Sequence, residues 1–329
     1  MTDRQPLKLG FVPLNDAAPL IVAADRGFFA AEGVEVELSR EVSWATVRDK
    51  LAVGALDGAH LLAPMTLAAA LGVGNDAPPM IAPLALNMNG PVVTLSARLA
   101  ALAGSGPEAA GLANLVARRR QEGASSLTFA VVHPHSAHNY LLRAWMAEAG
   151  IDPDHDVRLT VASPPRMAEL LAGGVIEGFC AGEPWSAAAV ATGAGQVVLR
   201  APQWRAATPD KVFGVTAAWA ERRPADLLAI LRALRRAAAW SEAPENRAAL
   251  VELLTATGRL GVAPGLIAAG LDEVVFTRDG VSAPRPDDAV WLLKQMIRWG
   301  QAPGDLDVAD IAARVYRPDL YAAAERSGI

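Results

Sequence analysis

The 329-residue chain contains one cysteine, Cys180, and only 5% of its residues are aromatic. A lone thiol cannot form an internal disulfide, and beside Phe179 it has the character of a small buried hydrophobic residue. No oxidising compartment is implied, and residues 1–6 lack the charged and apolar regions of a secretory signal, so we expect a cytoplasmic protein. No run of about 18 to 20 apolar residues is present, which argues against a membrane-spanning helix.

Positive charge is not in excess either, with 30 Lys and Arg residues against 35 Asp and Glu. The formal net charge is -5 and the isoelectric point is about 5.6, which argues against direct binding of nucleic acid. Catalytic signatures are missing too: there is no Gly-x-Ser-x-Gly elbow and no phosphate-binding glycine loop. With 52% hydrophobic and 20% charged residues, the composition is that of a helix-rich globular protein long enough for two lobes. We therefore expect a binding protein and no enzyme.

Apolar patterning predicts strands that alternate with helices along the first part of the chain. Strands are predicted at residues 7–12, 34–38 and 59–62, and helices at 20–31 and 43–53. Such alternation is typical of mainly parallel sheets with helices on both faces. The fold class is therefore α/β.

An internal similarity indicates two equivalent α/β units. Residues 51–58, LAVGALDG, align without gaps with residues 171–178, LAGGVIEG, and Pro64 then matches Pro184. We predict a discontinuous lobe I, residues 1–94 and 197–329, which includes the C-terminal helices, and a lobe II, residues 95–196. Strands near 92–96 and 196–199 are expected to join the lobes, with the ligand in the cleft between them.

Three histidines, His133, His135 and His138, fall within six residues, so a metal site has to be considered. No paired cysteine or well-spaced fourth ligand accompanies them, and in an extended segment His138 leaves the face that the other two share. The alternative places residues 136–139 at the start of a helix, where unsatisfied N–H groups and the helix dipole favour an anion. We expect no metal and no cofactor.

Isolated hydrogen-bond donors remain as candidate ligand contacts: Trp44, His138, the backbone of Gly182 and Glu183, and Lys211. Each also has a structural explanation, since Trp44 could anchor a core, Lys211 could be solvated and Gly182 could form a turn. Together they supply one cation and several N–H donors, which suits a small monovalent anion in a dry site. The Glu183 carboxylate would repel such an anion unless it faces away, orients His138 or pairs with Lys211.

A series of motifs resembles one known family, the nitrate-binding proteins. The segments that carry the resemblance are PLNDAAPLIVA at 13–23, GFF at 27–29, WATVRDKL at 44–51, DGAHLLAPM at 57–65, LNMNG at 86–90, HNY at 138–140, GIDPD at 150–154, PPRM at 164–167 and GEPW at 182–185. The resemblance extends over roughly residues 7 to 220, with these segments in the same order and spacing, whereas the C-terminal third is weakly diagnostic.

The resemblance implies a two-lobed, type II periplasmic-binding-protein-like fold that binds nitrate or nitrite. The family includes exported solute-binding subunits of nitrate and bicarbonate transporters and cytoplasmic nitrate sensors. In the sensors, the ligand-free protein holds an RNA-binding, NasT-like antiterminator inactive and releases it when ligand binds, which regulates nitrate assimilation genes. The absence of a signal segment favours a sensor, with a transport component as the alternative. A pyrimidine-synthesising relative uses a cysteine-rich iron site that this chain lacks.

Carried over by motif, the expected anion contacts are Trp44, His138, Gly182, Glu183 and Lys211. The resemblance also favours nitrate over bicarbonate, because bicarbonate binders look less basic at the position of Lys211. The chain departs from the family where Pro91 stands in place of a glutamine that follows the Asn-Gly step. The Asn89 amide or the Gly90 N–H is expected to replace the donor that is lost.

Overall fold

The computed structural model describes residues 5–74, 76–104, 106–256 and 258–326. They form two compact units. The first contains the described residues of Met1–Met88, Pro209–Pro264 and Val274–Ile329, and the second those of Asn89–Thr208 and Gly265–Glu273. Residues 89–94, 197–208 and 265–273, which we predicted in lobe I, thus group with the second unit. Residues 1–4 and 327–329 of the predicted lobe I lie outside the described residues.

Two five-stranded sheets form the framework of the units. In chain order the strands are β1 (Leu7–Phe11), β2 (Val36–Arg40), β3 (Gly58–Leu62), β4 (Met80–Met88), β5 (Val92–Ser96), β6 (Thr128–Val131), β7 (Arg158–Val161), β8 (Gly178–Ala181), β9 (Gly195–Arg200) and β10 (Pro209–Thr216). The first sheet has the order β2-β1-β3-β10-β4 and the second the order β7-β6-β8-β5-β9.

Both sheets are mixed and mainly parallel. In the first, β1 runs parallel to β2 and β3, whereas β10 runs antiparallel to β3 and β4. In the second, β6 runs parallel to β7 and β8, whereas β5 runs antiparallel to β8 and β9. The single reversed strand is the fourth in each sheet, so the two units share one topology, and the predicted fold class is confirmed.

Helices cover the sheets. They are α1 (Ala18–Asp25), α2 (Phe28–Ala31), α3 (Trp44–Ala52), α4 (Ala63–Leu71), α5 (Ala97–Ala103), α6 (Ala110–Gln121), α7 (Ala137–Glu148), α8 (Met167–Ala172), α9 (Trp185–Ala191), α10 (Ala201–Trp204), α11 (Ala217–Arg222), α12 (Pro224–Glu242), α13 (Arg247–Thr255), α14 (Pro264–Leu271), α15 (Pro286–Arg298), α16 (Val308–Val315) and α17 (Pro318–Arg326). In the described part of the chain, no helix is both long and apolar enough to cross a bilayer.

The predicted helix at 20–31 is wrong in one respect, because it is divided into α1 and α2. Gly27 lies between them at φ 68°, in the left-handed region that interrupts a right-handed helix. The helix predicted at 43–53 is α3, and it begins where Ser43 Oγ accepts a hydrogen bond from Thr46 N at 3.2 Å. Local residue chemistry thus decides where these helices begin and end.

The repeat predicted from sequence is reproduced in detail. Gly54 and Gly174, at φ 75° and 66°, occupy the same position in the turns that lead from α3 to β3 and from α8 to β8. The next carboxylate in each unit accepts a backbone N–H of the neighbouring parallel strand, Asp57 from Lys8 at 2.8 Å and Glu177 from Thr128 at 2.7 Å. Two equivalent α/β units are therefore confirmed.

Candidate functional site

Parallel strands of one sheet end on the same side, here called its carboxyl edge. Open α/β sheets bind ligands at this edge, because loops and helix N-termini converge there. In the first unit, Asp16 follows β1, Trp44 opens the helix after β2, and Lys211 on β10 pairs with Leu62, the last residue of β3. Asn87 lies near the end of β4. The carboxyl edge of the first sheet therefore gathers polar side chains from four strands or their loops.

Four of its side chains form an ionic cluster: Asp16, His60, Asp210 and Lys211. Lys211 Nζ lies 2.8 Å from Asp16 Oδ2 and 2.6 Å from Asp210 Oδ2. His60 Nε2 lies 3.0 Å from Asp16 Oδ1. None of the four side chains is more than 2% exposed, so the charges interact with little screening by water.

Asp16 and Lys211 of the cluster are held in their charged forms. Burial acts to raise the pKa of Asp16, but the Lys211 ammonium and the His60 ring hold it well below the ordinary value of 3.8. Burial acts to lower the pKa of Lys211, but Asp16 and Asp210 bring it above the ordinary value of 10.5. A carboxylate and an ammonium therefore persist across the physiological pH range.

Trp44 packs on this cluster. Its ring centroid lies 5.0 Å from that of His60 in an edge-on arrangement and 5.6 Å from Lys211 Nζ. The residue is 1% exposed, yet its Nε1–H has no hydrogen-bond partner among the described residues. A buried indole normally finds an acceptor, so Trp44 contributes an unused donor at the carboxyl edge.

Asn87 supports the cluster from the adjacent strand. Its Oδ1 accepts the Lys211 backbone N–H at 3.1 Å, and its Nδ2 donates to Asp210 Oδ2 at 3.3 Å. The pairing of β10 with β4 shifts register on both sides of Lys211. This irregularity brings the side chains of two consecutive residues, Asp210 and Lys211, to the same point, whereas a regular strand would place them on opposite faces.

The carboxyl edge of the second sheet holds the other predicted contacts. His138 is the second residue of α7, which follows β6, and its side chain is fully buried. Ser136 caps this helix by accepting the Asn139 N–H at 3.1 Å. Gly182 follows β8, the strand next to β6, so His138 and Gly182 belong to the same edge. The positive end of α7 makes this edge favourable for an anion.

The Glu183 side chain points towards the first turn of α9, the helix that follows it. Its Oε2 accepts the Ala187 N–H at 2.9 Å, and its Oε1 lies 3.6 Å from Arg200 Nη1. Burial raises the pKa of Glu183 above 4.5, although the Ala187 N–H and the Arg200 guanidinium act in the opposite direction. The Glu183-Pro184 peptide bond is cis. The carboxylate is therefore engaged at the start of α9.

Asn89 and Gly90 lie just before β5, at this same edge. Asn89 adopts φ 69°, and its backbone N–H and side-chain Oδ1 bond the Thr208 carbonyl and N–H, each at 2.9 Å. The Pro91 carbonyl accepts the Ala201 N–H at 3.0 Å. Asn89 Oδ1 thus accepts a backbone N–H, and Nδ2 is the donor group of this side chain.

Sequence reasoning treated Lys211 as a lone cation, and two features of the structure differ from that expectation. Its ammonium already binds two carboxylates, and Arg200, the last residue of β9, provides a second cation at the edge of the second unit. Asp16, His60 and Asp210 were not predicted. A charged or titratable residue inside an otherwise apolar motif was the signal for the first two.

The three histidines of the metal hypothesis do not form a recognisable metal site. The rings of His133 and His135 lie 5.7 Å apart, and His133 Nδ1 accepts the His135 backbone N–H at 3.1 Å. In the described ranges, no group of three or more His, Cys, Asp or Glu side chains is placed to hold a metal ion. The alternative, in which residues 136–139 open a helix, agrees with the observed α7.

Comparison with known proteins supplies the family. Residues 2–255 match the model of the NMT1-like family. The nitrate import ATP-binding protein NrtC of Synechocystis is 35% identical over 338 residues, which cover 97% of this chain and 50% of that protein. The bicarbonate transport ATP-binding protein CmpC of Synechococcus elongatus is 34% identical over 97% of this chain and 49% of its own length. The chain thus spans about half the length of these curated relatives.

The crystal structure of the periplasmic nitrate-binding protein NrtA from Synechocystis superposes with a TM-score of 0.93 at 30% identity. The match covers 99% of this chain and 89% of that one. Sequence and fold agree over nearly the whole length. The chain therefore belongs to the NMT1-like family, in the group of solute-binding proteins that includes NrtA.

Proposed function

We propose that this chain binds one small oxyanion, nitrate or nitrite, and performs no chemistry on it. The observation that carries the proposal is Trp44, whose buried Nε1–H lacks an acceptor among the described residues at the carboxyl edge. Leaving such a donor unsatisfied costs about 1–3 kcal/mol. An anion that accepts this hydrogen bond removes the cost.

Further donors and the relatives support the same ligand. Nitrate accepts hydrogen bonds and donates none, so it requires a lining of N–H groups. At its own carboxyl edge, the second unit carries the Gly182 and Gly90 backbones and the N-terminus of α7, the helix that contains His138. The similar proteins NrtA and NrtC are named for nitrate. CmpC is named for bicarbonate, which has to be tested beside it.

Calorimetric titration against nitrate, nitrite and bicarbonate tests the proposal. At 100 times its dissociation constant, the true ligand is expected to stabilise the protein by about 2.7 kcal/mol, which thermal unfolding would register. Trp44→Phe keeps the ring and removes the donor, so affinity is expected to fall at least tenfold. Trp240→Phe is the matched control, since Trp240 lies on α12 beneath Arg26. A protein that responds to none of the three anions would refute the proposal.

We propose further that the protein works in the cytoplasm as a nitrate or nitrite sensor of the NasS type. In this role the ligand-free form sequesters a NasT-like, RNA-binding antiterminator and the ligand-bound form releases it. The motifs resemble a family that includes such sensors as well as transport subunits, so the resemblance is compatible with this role and with the second candidate below. Co-purification of the two proteins without nitrate, with dissociation on adding nitrate, is the expected result, and a complex indifferent to nitrate and nitrite would contradict it.

The second candidate function is that of a solute-binding component of a nitrate or bicarbonate transporter. The names of NrtA, NrtC and CmpC favour it. Cell fractionation together with a transport assay in a deletion strain separates the two roles. Loss of nitrate uptake with unchanged transcription would support the transporter, and the reverse would support the sensor.

A further inference from the structure

The ionic cluster carries excess negative charge. Its one ammonium, Lys211, faces the carboxylates of Asp16 and Asp210, at 2.8 Å and 2.6 Å. With a neutral His60, the cluster therefore has one net negative charge. Two of the three Lys211 N–H donors are already used. An anion at this edge would meet repulsion, and in a buried setting that repulsion is weakly screened.

His60 is positioned to remove this excess. Its ring is fully buried on β3, with Nε2 in ion-pair range of Asp16 Oδ1 at 3.0 Å, and within the described ranges neither ring nitrogen meets hydrogen-bond geometry with a partner. A proton on the ring would balance the cluster, with two cations facing two carboxylates. The charge would lie directly beneath Trp44, whose ring touches that of His60 edge-on at 5.0 Å.

Other charged groups on the elements packed against β3 are engaged elsewhere. β10 contributes Asp210 and Lys211 themselves, and α4 carries no titratable residue. On β1, Lys8 is exposed. On α3, Arg48 and Asp49 pair with each other at 2.8 Å, and Lys50 pairs with Glu41 at 2.8 Å. The proton balance at His60 is therefore set by Asp16, Asp210, Lys211 and the arriving anion.

We propose that binding of the anion is coupled to uptake of one proton by His60, which acts through Asp16 as a positioning residue. This inference rests on the proposed function. Linkage requires that a protonation which favours the anion is in turn favoured by it. Among side chains, imidazole is the one best suited to take up and release a proton near neutral pH, which makes His60 the natural proton acceptor of the cluster.

Proton uptake is measured by titrating nitrate, or nitrite if that is the ligand, in two cationic buffers that differ in ionisation enthalpy. The expected result is uptake of about one proton for each anion bound. Affinity should then fall about tenfold for each unit of rising pH. Binding with no uptake, and with affinity independent of pH from 5 to 9, would overturn the inference and leave the proposed function intact. Absence of binding would refute the proposed function itself.

Three variants of the full chain assign the proton. His60→Gln should abolish the uptake and hold the affinity at the value that wild type has at high pH. Asp16→Asn balances the cluster without a proton, so it should bind at high pH as tightly as wild type does at low pH. Glu183→Gln should retain the uptake.

Glu183 is the competing acceptor of the proton, because it is a buried carboxyl group at the other carboxyl edge. Uptake that persists in His60→Gln and disappears in Glu183→Gln would overturn the assignment to His60. If His60→Gln fails to fold, the near-isosteric Asp16→Asn provides the test. An unchanged number of protons taken up per anion in this variant contradicts the proposal, and a number near zero supports it.

Discussion

Replacing Lys211 by methionine removes the ammonium and keeps most of the volume of the side chain. The change leaves Asp16 and Asp210 without the cation that contacts both, in a place where neither carboxylate is more than 2% exposed. Breaking a buried ion pair by removing one partner costs about 3–5 kcal/mol. Since whole domains are stable by about 5–15 kcal/mol, Lys211→Met should lose a large part of the stability of the first unit.

Urea unfolding followed by tryptophan fluorescence measures the loss, with far-ultraviolet circular dichroism to detect separate unfolding of the two units. The triple variant Lys211→Met, Asp16→Asn, Asp210→Asn should recover most of it, because neutral side chains carry no uncompensated charge. A loss below about 1 kcal/mol in the single variant at pH 7 would refute the energetic importance of the cluster.

The same reasoning fixes the sign of the pH dependence. In wild type the pKa of Asp16 is lowered, so its contribution to stability is present above the ordinary value of 3.8 and is lost as pH falls further. In Lys211→Met the carboxylates lack their cation and bind protons more readily when folded than when unfolded. The difference in stability between variant and wild type should therefore shrink from pH 7 to pH 4.

Three other changes have defined outcomes. Gly178→Ala places a Cβ 2.8 Å from Phe129 Cδ1 and should cost about 1–3 kcal/mol in urea unfolding, whereas Gly106→Ala, with nothing within 4 Å, should cost little. Because burial raises the pKa of Glu183, Glu183→Gln should gain stability over wild type as pH rises from 4 to 7 in thermal unfolding; a relative loss would contradict this. Asn89→Ala removes the acceptor of a 2.9 Å bond and puts alanine at φ 69°, so calorimetry should show a loss of about 1–3 kcal/mol, part of which Asn89→Gly recovers.

The fold was accessible from sequence because its determinants are local. Period-two and helical patterns marked the strands and helices, and the repeated eight-residue segment marked two equivalent turns, each with a glycine in the left-handed region. The break at Gly27 was missed, since a glycine inside an apolar helical pattern is often tolerated. The order of the strands within each sheet, with β5 and β10 antiparallel to their neighbours, depends on contacts between distant residues, and the periodicity of the sequence does not reveal these contacts.

The donors of the site were partly predictable, and their partners were not. From sequence, Trp44 was a candidate because of its indole N–H and Lys211 because of its positive charge. The structure places both at the carboxyl edge of the first sheet. The carboxylate of Asp16 meets Lys211 across 195 residues of sequence. Asp210 precedes Lys211 directly, but regular strand geometry places such neighbours on opposite faces, and only the irregular register of β10 brings them together. The contacts of the anion itself remain predictions.

The first sheet takes one of its strands, β10, from residues 209–216, far along the chain from its other strands, and this has a consequence for synthesis. The first sheet acquires Asp16, Trp44 and His60 within its first sixty residues, yet the strand that carries Lys211 is not made until the ribosome has passed nearly all of the second unit. The second unit, largely continuous in sequence, can complete its sheet at residue 200 while the first still lacks a central strand. A nascent chain halted before residue 209 would hold a buried aspartate with no lysine to meet it, so this half of the protein is expected to mature last.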